Sequence, residues 1–279
     1  MCIKMILEWF NKPNPVPDSI PDPPPGSTPA VKRTLLSFAI NNYPGTANDL
    51  QGCLNDQDNI AQKVLSIFPD FTIKKFRDSQ VTINCYKTEV AKAISELKPG
   101  STVLILPDSC FSGTVTRFMN SDKHPTQNRY YQNPDLFIRS RAATRIFKGA
   151  GNIKWIVISG CGEEQTSADA YINGQYNGAF TWFAVKALKS GITYRQWYKA
   201  IRTYLPSKNY DQAPELEGPD ELLDKKIFED DTLIIHNSSH GTQTYDANGD
   251  EEDGYDEAIY LYDGMVIDDD INAILQKIP

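Results

Sequence analysis

Short apolar runs alternate with amphipathic stretches along the first 160 residues, and the period switches between strand-like and helix-like. Residues 35–40 form the first apolar run, closed by turn chemistry in Asn41-Asn42-Tyr43-Pro44-Gly45. Leu50, Leu54, Ile60, Val64 and Ile67 then fall broadly on one face of a helix predicted over 48–67. A second strand is predicted over 71–76. A second helix spans 82–97, with Tyr86, Val90, Ala93, Ile94 and Leu97 on one face, Thr82 placed to cap it and Pro99-Gly100 to end it. Val103-Leu104-Ile105-Leu106 reads as a parallel strand buried on both faces, stopped by Pro107. This β-α-β-α-β alternation predicts an α/β fold with a mainly parallel central sheet.

The pattern loosens over 114–151, a polar and aromatic stretch holding Arg117, Lys123, Arg129, Arg139, Arg141, Arg145 and Lys148. A mobile basic loop is expected there, because long irregular stretches inside a domain are usually functional or mobile. Beyond it come a strand over 155–159, helices over 178–188 and 194–205, an edge strand over 212–217 and a buried run, Thr232-Leu233-Ile234-Ile235-His236. Residues 1–31 stand apart. Eight of the chain's 18 prolines lie between Pro13 and Pro29, so this segment is expected to be an extended tether ahead of one domain over 32–279.

Composition narrows the function. Of the 279 residues, 40% are hydrophobic and 23% charged, which are globular values. A net charge of −8 argues against a partner bound through nucleic-acid phosphates. The five cysteines, at 2, 53, 85, 110 and 161, are odd in number and follow no secretory leader, which suggests free thiols in a reducing, cytoplasmic setting. The N-terminal apolar run is too short and too charged for a membrane span, so no membrane partner is expected. Acidic residues crowd 246–270, either as a solvated loop or as a divalent-cation site.

Two stretches carry chemistry. Asp108-Ser109-Cys110-Phe111-Ser112-Gly113 follows one buried strand, and Asn237-Ser238-Ser239-His240-Gly241 follows another. Sites in α/β sheets lie beyond the carboxyl ends of strands. A thiol there needs a base to become a thiolate near neutral pH, and histidine has a suitable pKa. Cys110 is therefore the candidate nucleophile and His240 the candidate base. Backbone N–H groups of Cys110 and Gly241 are candidate oxyanion donors, and Gly241 leaves room for a substrate carbonyl. His236, on its strand, reads as structural, and His124 as a surface residue.

These two stretches resemble the catalytic motifs of metacaspases and bacterial caspase-like peptidases. Supporting similarity runs through Gly52-Cys53-Leu54-Asn55-Asp56, residues 38–45, residues 159–169, Gly249 to Glu257, and Ile267 to Asp270. The resemblance implies a caspase-like three-layer sandwich and a cysteine endopeptidase. It places Cys53, Asp56, Asp108 and Ser238 in the pocket for the residue preceding the cut. Two carboxylates in such a pocket favour Arg or Lys and repel Asp, so peptides with Arg or Lys at the cut are the expected partners. The region after Cys110 is implied to be an exposed linker open to self-cleavage. Calcium ligation is implied for Asp256, Asp268 and Asp269, while Arg117 stands where a further acidic ligand belongs. No organic cofactor is implied, and a monomer is expected.

The order of segments departs from that family. The histidine stretch follows the cysteine stretch instead of preceding it, and 231–279 would fit between Gly100 and Ser101. Chemistry depends on spatial roles and not on chain order, so the reading requires the His240 strand to insert beside the Cys110 strand. The alternatives are a catalytically inactive caspase-like scaffold and a calcium-binding interaction module.

Overall fold

A computed structural model of the protein describes residues 30–109, 124–133, 154–162, 165–207, 209–249 and 254–279. The chain divides into two units, Met1–Ala30 and Val31–Pro279, and the regular elements among the described residues all fall in the second. In chain order they begin with β1 (Arg33–Ala39), α1 (Cys53–Ile67), β2 (Thr72–Arg77), α2 (Ile83–Ser95) and β3 (Thr102–Asp108). Next come β4 (Gln127–Asn128), β5 (Ile156–Ser159), β6 (Ala168–Ile172), β7 (Gln175–Gly178), α3 (Ala179–Ala187) and α4 (Tyr194–Ile201). The last are β8 (Glu215–Glu217), α5 (Asp220–Leu223), β9 (Thr232–Ser238), β10 (His240–Tyr245), β11 (Tyr255–Leu261), β12 (Gly264–Ile267) and α6 (Asp268–Leu275).

The main sheet has the order β2-β1-β9-β3-β5-β8, parallel throughout except for the edge strand β8. β9 lies between β1 and β3, so the histidine strand does insert beside the strand that leads to Cys110. One row across the sheet aligns Leu35, Ile234, Leu104 and Ile156, and the next aligns Leu36, Ile235, Ile105 and Val157. Successive side chains on a strand point to opposite faces, so the two rows feed two cores. The first row packs with Ile60 and Val64 of α1, Phe180 and Ala184 of α3, and Trp197 of α4. The second packs with Tyr86, Val90 and Ile94 of α2 and with Ile271 and Leu275 of α6. Helices therefore cover both faces, and the fold is α/β in three layers.

Local chemistry explains the ends. The Thr82 hydroxyl accepts the Cys85 N–H at 3.1 Å and caps α2. Thr193 and Gln196 form a reciprocal capping box on α4. The helix expected over 48–67 starts only at Cys53, because the N–H groups of Gln51 and Gly52 are taken by the Asp169 carboxylate, a contact from far along the chain. The acidic stretch 246–270, open in sequence between a solvated loop and a divalent-cation site, holds β11 and β12 among its described residues. β10, β11 and β12 form a separate three-stranded antiparallel sheet that buries Asp256 and Glu257. A third sheet, β4-β6-β7, contains a hairpin turned at Asn173-Gly174, both at positive φ. Its strand β4 lies inside 114–151, where Gln127 and Asn128 pair with β6, and residues 114–123 and 134–151 of that stretch lie outside the described residues. No helix among the described residues is long and apolar enough to cross a membrane.

Ile234 is fully buried at the centre of the sheet, whereas Leu65 on α1 is 36% exposed. Ile234→Ala should cost about 2–5 kcal/mol of stability, and Leu65→Ala less than about 0.5 kcal/mol. Urea unfolding of both variants checks the sheet order, since equal costs would place Ile234 outside the core.

Candidate active site

β3 and β9 end together at the same edge of the sheet, with Asp108 level with Ser238. The next residues are stitched to each other. The Asn237 amide donates to the Ser109 hydroxyl at 2.9 Å and to the Ser239 hydroxyl at 2.8 Å, and those two oxygens lie 3.4 Å apart. Ser109 and Ser239 are 130 residues apart in sequence, yet they meet, and each directly precedes a proposed catalytic residue. Cys110 itself lies outside the described residues, as do Phe111 and Arg117.

His240 opens β10 and is buried. Its Nε2 lies 2.6 Å from the Asn48 carbonyl oxygen. A carbonyl can only accept, so Nε2 carries the proton and Nδ1 carries the lone pair. Nδ1 is buried without a hydrogen-bond partner among the described residues. Burial pushes the imidazole pKa down to about 4, and the Asn48 hydrogen bond works against that fall. The ring is therefore neutral at physiological pH, held in one tautomer, with one nitrogen able to take a proton. The Tyr43 hydroxyl accepts the His240 N–H at 2.9 Å, and the two rings pack 4.8 Å apart. His236 faces Ser37 at 2.9 Å and Thr181 at 3.4 Å inside the fold, which gives it a packing role. His124 is half-buried and stacked 3.7 Å from the Tyr171 ring, not free at the surface.

Three of the residues expected in the pocket lie together, with two that sequence reasoning did not single out. Asp56 of α1, Asp108 of β3 and Ser238 of β9 converge with Asp169 of β6 around the guanidinium of Arg129. Arg129 Nη2 is 2.7 Å from Asp56 Oδ2 and 3.0 Å from Asp169 Oδ1. Nη1 is 3.3 Å from Asp108 Oδ2 and donates to the Ser238 hydroxyl at 2.7 Å. Each of these charged side chains is 0% exposed. Asp56 also accepts the Gly178 N–H and the Ser238 hydroxyl, both at 2.9 Å, while Asp108 accepts the Thr181 N–H at 2.9 Å and the Ser167 hydroxyl at 2.6 Å. Cys53 is buried beside them, and burial pushes its thiol pKa up.

The pocket expected to await an incoming Arg or Lys thus holds a guanidinium of its own chain. Gly178 permits the crowding, since a Cβ there would sit 2.1 Å from Asp108 Oδ2 and 2.5 Å from Arg129 Nη1. Burial pushes the Asp56 carboxyl up to about 8, a rise that Arg129 opposes and Asp108 reinforces. Arg129, despite its burial, is held well above its usual pKa by the surrounding acidic groups. The available signal for Arg129 was only its place in a run of basic residues. Asp169 closes the stretch 159–169 that carries part of the family resemblance, but no role was read for it there.

Asp256 and Asp268 are buried on β11 and at the start of α6, and Asp269 Oδ2 accepts the Asn248 amide at 2.6 Å. Among the described residues, no group of three or more His, Cys, Asp or Glu side chains is arranged to hold a metal ion.

Part of the chain is similar to metacaspases. It is 49% identical over 61 residues to Metacaspase-1B of Aspergillus oryzae, covering 20% of this chain and 15% of that protein. It is 52% identical over 61 residues to Metacaspase-1B of Aspergillus niger, and 48% identical over 61 residues to Metacaspase-1 of Scheffersomyces stipitis, with 14% and 15% of those proteins covered. The chain thus matches about 15% of the length of these curated relatives. A solved protein of Geobacter sulfurreducens is 18% identical, with a TM-score of 0.46, over 71% of this chain and 98% of its own. No protein-family model matches the chain.

Both Asp56 oxygens take only donors, the Arg129 guanidinium among them. Asp56→Asn should leave that guanidinium undercompensated and cost about 3–5 kcal/mol of stability. Urea unfolding checks this, and a cost below about 1 kcal/mol would show that the pair contributes little to holding the fold.

Proposed function

We propose that the chain is a cysteine endopeptidase of caspase-like fold that cuts peptide bonds after Arg or Lys. The observation that carries this reading is the meeting, at one end of β3 and β9, of a single-tautomer histidine, the residue preceding Cys110, and a carboxylate pocket that accepts a guanidinium. The 61-residue similarity to metacaspases supports the reaction class.

In this reading the Cys110 thiol gives its proton to His240 Nδ1 and attacks the carbonyl carbon of the Arg or Lys that precedes the cut. The oxyanion takes hydrogen bonds from the N–H groups of Gly241 and Cys110. His240 returns the proton to the leaving amine, a thioester remains, and water hydrolyses it. Asp56, Asp108, Asp169 and Ser238 hold the basic side chain. Self-processing within the basic stretch belongs to the same reading. The described carboxylates do not form a three-ligand calcium set, so no step is routed through calcium; calcium stimulation through Asp256, Asp268 and Asp269 enters as an arm of the test. The inert-scaffold alternative draws support from the filled pocket.

Fluorogenic peptides ending in Arg, Lys or Asp, with and without millimolar calcium, test the proposal. Cleavage should follow Arg and Lys but not Asp, and Cys110→Ala or His240→Ala should lower the rate about 1,000-fold or more. Turnover that survives Cys110→Ala would refute the nucleophile. A thiol alkylator that fails to label Cys110 selectively, with no turnover in any arm, would favour the scaffold.

A further inference from the structure

His236 is a buried imidazole with no part in the steps above, and its surroundings fix the direction of each hydrogen bond around it. It lies level with Ser37 of β1 in the sheet, and its Nδ1 is 2.9 Å from the Ser37 hydroxyl. Its Nε2 is 3.4 Å from the hydroxyl of Thr181 on α3, which donates to Asp108 Oδ2 at 2.7 Å. Burial pushes the imidazole pKa down to about 4, a fall that Asp108 opposes and Arg129 reinforces, so the ring is neutral and carries one N–H. A hydroxyl has a single proton. Thr181 gives its proton to Asp108, so it can only accept from His236, and Nε2 holds the ring proton. Nδ1 is then the acceptor, and the Ser37 hydroxyl donates to it. The bonds run one way, from Ser37 through His236 and Thr181 to Asp108, and bonds aligned in this way strengthen one another.

A second chain reaches the other oxygen. The Gln212 amide donates to the Ser167 hydroxyl at 3.1 Å, and that hydroxyl donates to Asp108 Oδ1 at 2.6 Å. The Thr181 N–H adds a further donor to Oδ2 at 2.9 Å. All of these side chains are buried. The Asp108 carboxylate is thereby engaged on both oxygens before the pocket's cation is counted. Arg129 Nη1 donates instead to the Ser238 hydroxyl and the Asp108 backbone carbonyl, and Nη2 to Asp56 and Asp169. Four acceptors are thus shared between two nitrogens, two on each, while the Asp108 carboxylate stays 3.3 Å from Nη1 as an ion pair.

We propose that His236 is a positioning residue that, through Thr181, holds the Asp108 carboxylate back as a fixed counter-charge and so makes the pocket select a guanidinium over an ammonium. As a statement about substrates this deepens the peptidase reading above and rests on it. The planar fork of an arginine matches acceptors divided between two nitrogens, whereas the one nitrogen of a lysine has three N–H groups around a single centre. Without the Thr181 hydroxyl, Asp108 Oδ2 has a free lone pair to turn onto such a centre, and the advantage of the guanidinium shrinks. A histidine that only filled space would leave that choice unaffected.

The choice can be read without turnover, because the pocket already holds Arg129. Urea unfolding of Arg129→Lys, alone and combined with Thr181→Val, forms a double-mutant cycle; the valine removes the hydroxyl and keeps the N–H. Arg129→Lys should raise the unfolding equilibrium constant about fivefold or more further in the parent than beside Thr181→Val, and Thr181→Ser should behave as the parent. Equal effects in both backgrounds overturn the inference. Long-range proton–nitrogen spectra of the three histidines read the tautomer. The His236 signal, identified by its loss in His236→Gln or its shift in Thr181→Val, should show a proton on Nε2, and a proton on Nδ1 instead overturns the relay. With peptides, Thr181→Val should lower the Arg-to-Lys ratio of kcat/KM about fivefold or more, chiefly through KM. Turnover with an unchanged ratio overturns this inference and leaves the peptidase reading standing. Where the parent cuts neither peptide, the peptidase reading falls, and the unfolding cycle still decides the pocket's choice.

Discussion

One guanidinium buried among three carboxylates organises the working end of this molecule. A charge removed from water is tolerated only when paired and hydrogen-bonded. Here the pairing draws in α1 through Asp56, β3 through Asp108, β6 through Asp169 and β9 through Ser238. The carboxylates in turn take backbone N–H groups from Gly52, Gly178 and Thr181, which fixes the entry to α1 and the junction of β7 with α3. Losing one member of such a buried group commonly costs about 3–5 kcal/mol, because the remaining charges are left uncompensated. The helix start at Cys53 and the glycine at 178 both answer to this cluster more than to local propensity.

The cluster exists only because of the strand order. β3 and β9 are far apart in sequence, but their side-by-side pairing brings Asp108 level with Ser238 and joins Ser109 to Ser239. The sheet edge thereby acts as a ruler. Ser109 and Ser239, immediately past the last ladder pair, lie next to each other, and the two catalytic candidates are the residues that follow them in sequence. Chain order is irrelevant to that geometry so long as β9 finds the gap between β1 and β3.

Much of this was legible in the residues because buried parallel strands leave a simple signal. The runs at 35–40, 103–106 and 232–236 had no polar alternation to obscure them, and the Thr82 cap and Pro99-Gly100 stop bracketed α2. The carboxylates at 56 and 108 were legible through motif resemblance. What escaped depended on contacts that no local window contains. Arg129 looked like one basic residue among several in a loop, since its burial is created by partners 73, 21 and 40 residues away. The β6–β7 hairpin carried its Asn-Gly turn openly, but flanking polar residues hid the strands. β10 to β12 were masked by acidic residues that composition alone assigns to solvent, although Asp256 and Glu257 face inward.

The central position of β9 also dictates when the fold can close. During synthesis β1, β2 and β3 emerge long before residues 232–238, and β1 and β3 must wait for the strand that pairs with both. Until then each presents an unpaired, apolar edge, the kind of surface that recruits other strands and aggregates. Pairing across such sequence separations is also slow, because loop-closure entropy is lost before the contacts form. The same insertion delivers His240 to the site. Asp108 and Ser238 therefore stay apart while the chain is being made, and the step that completes the core is also the step that closes the buried charge cluster.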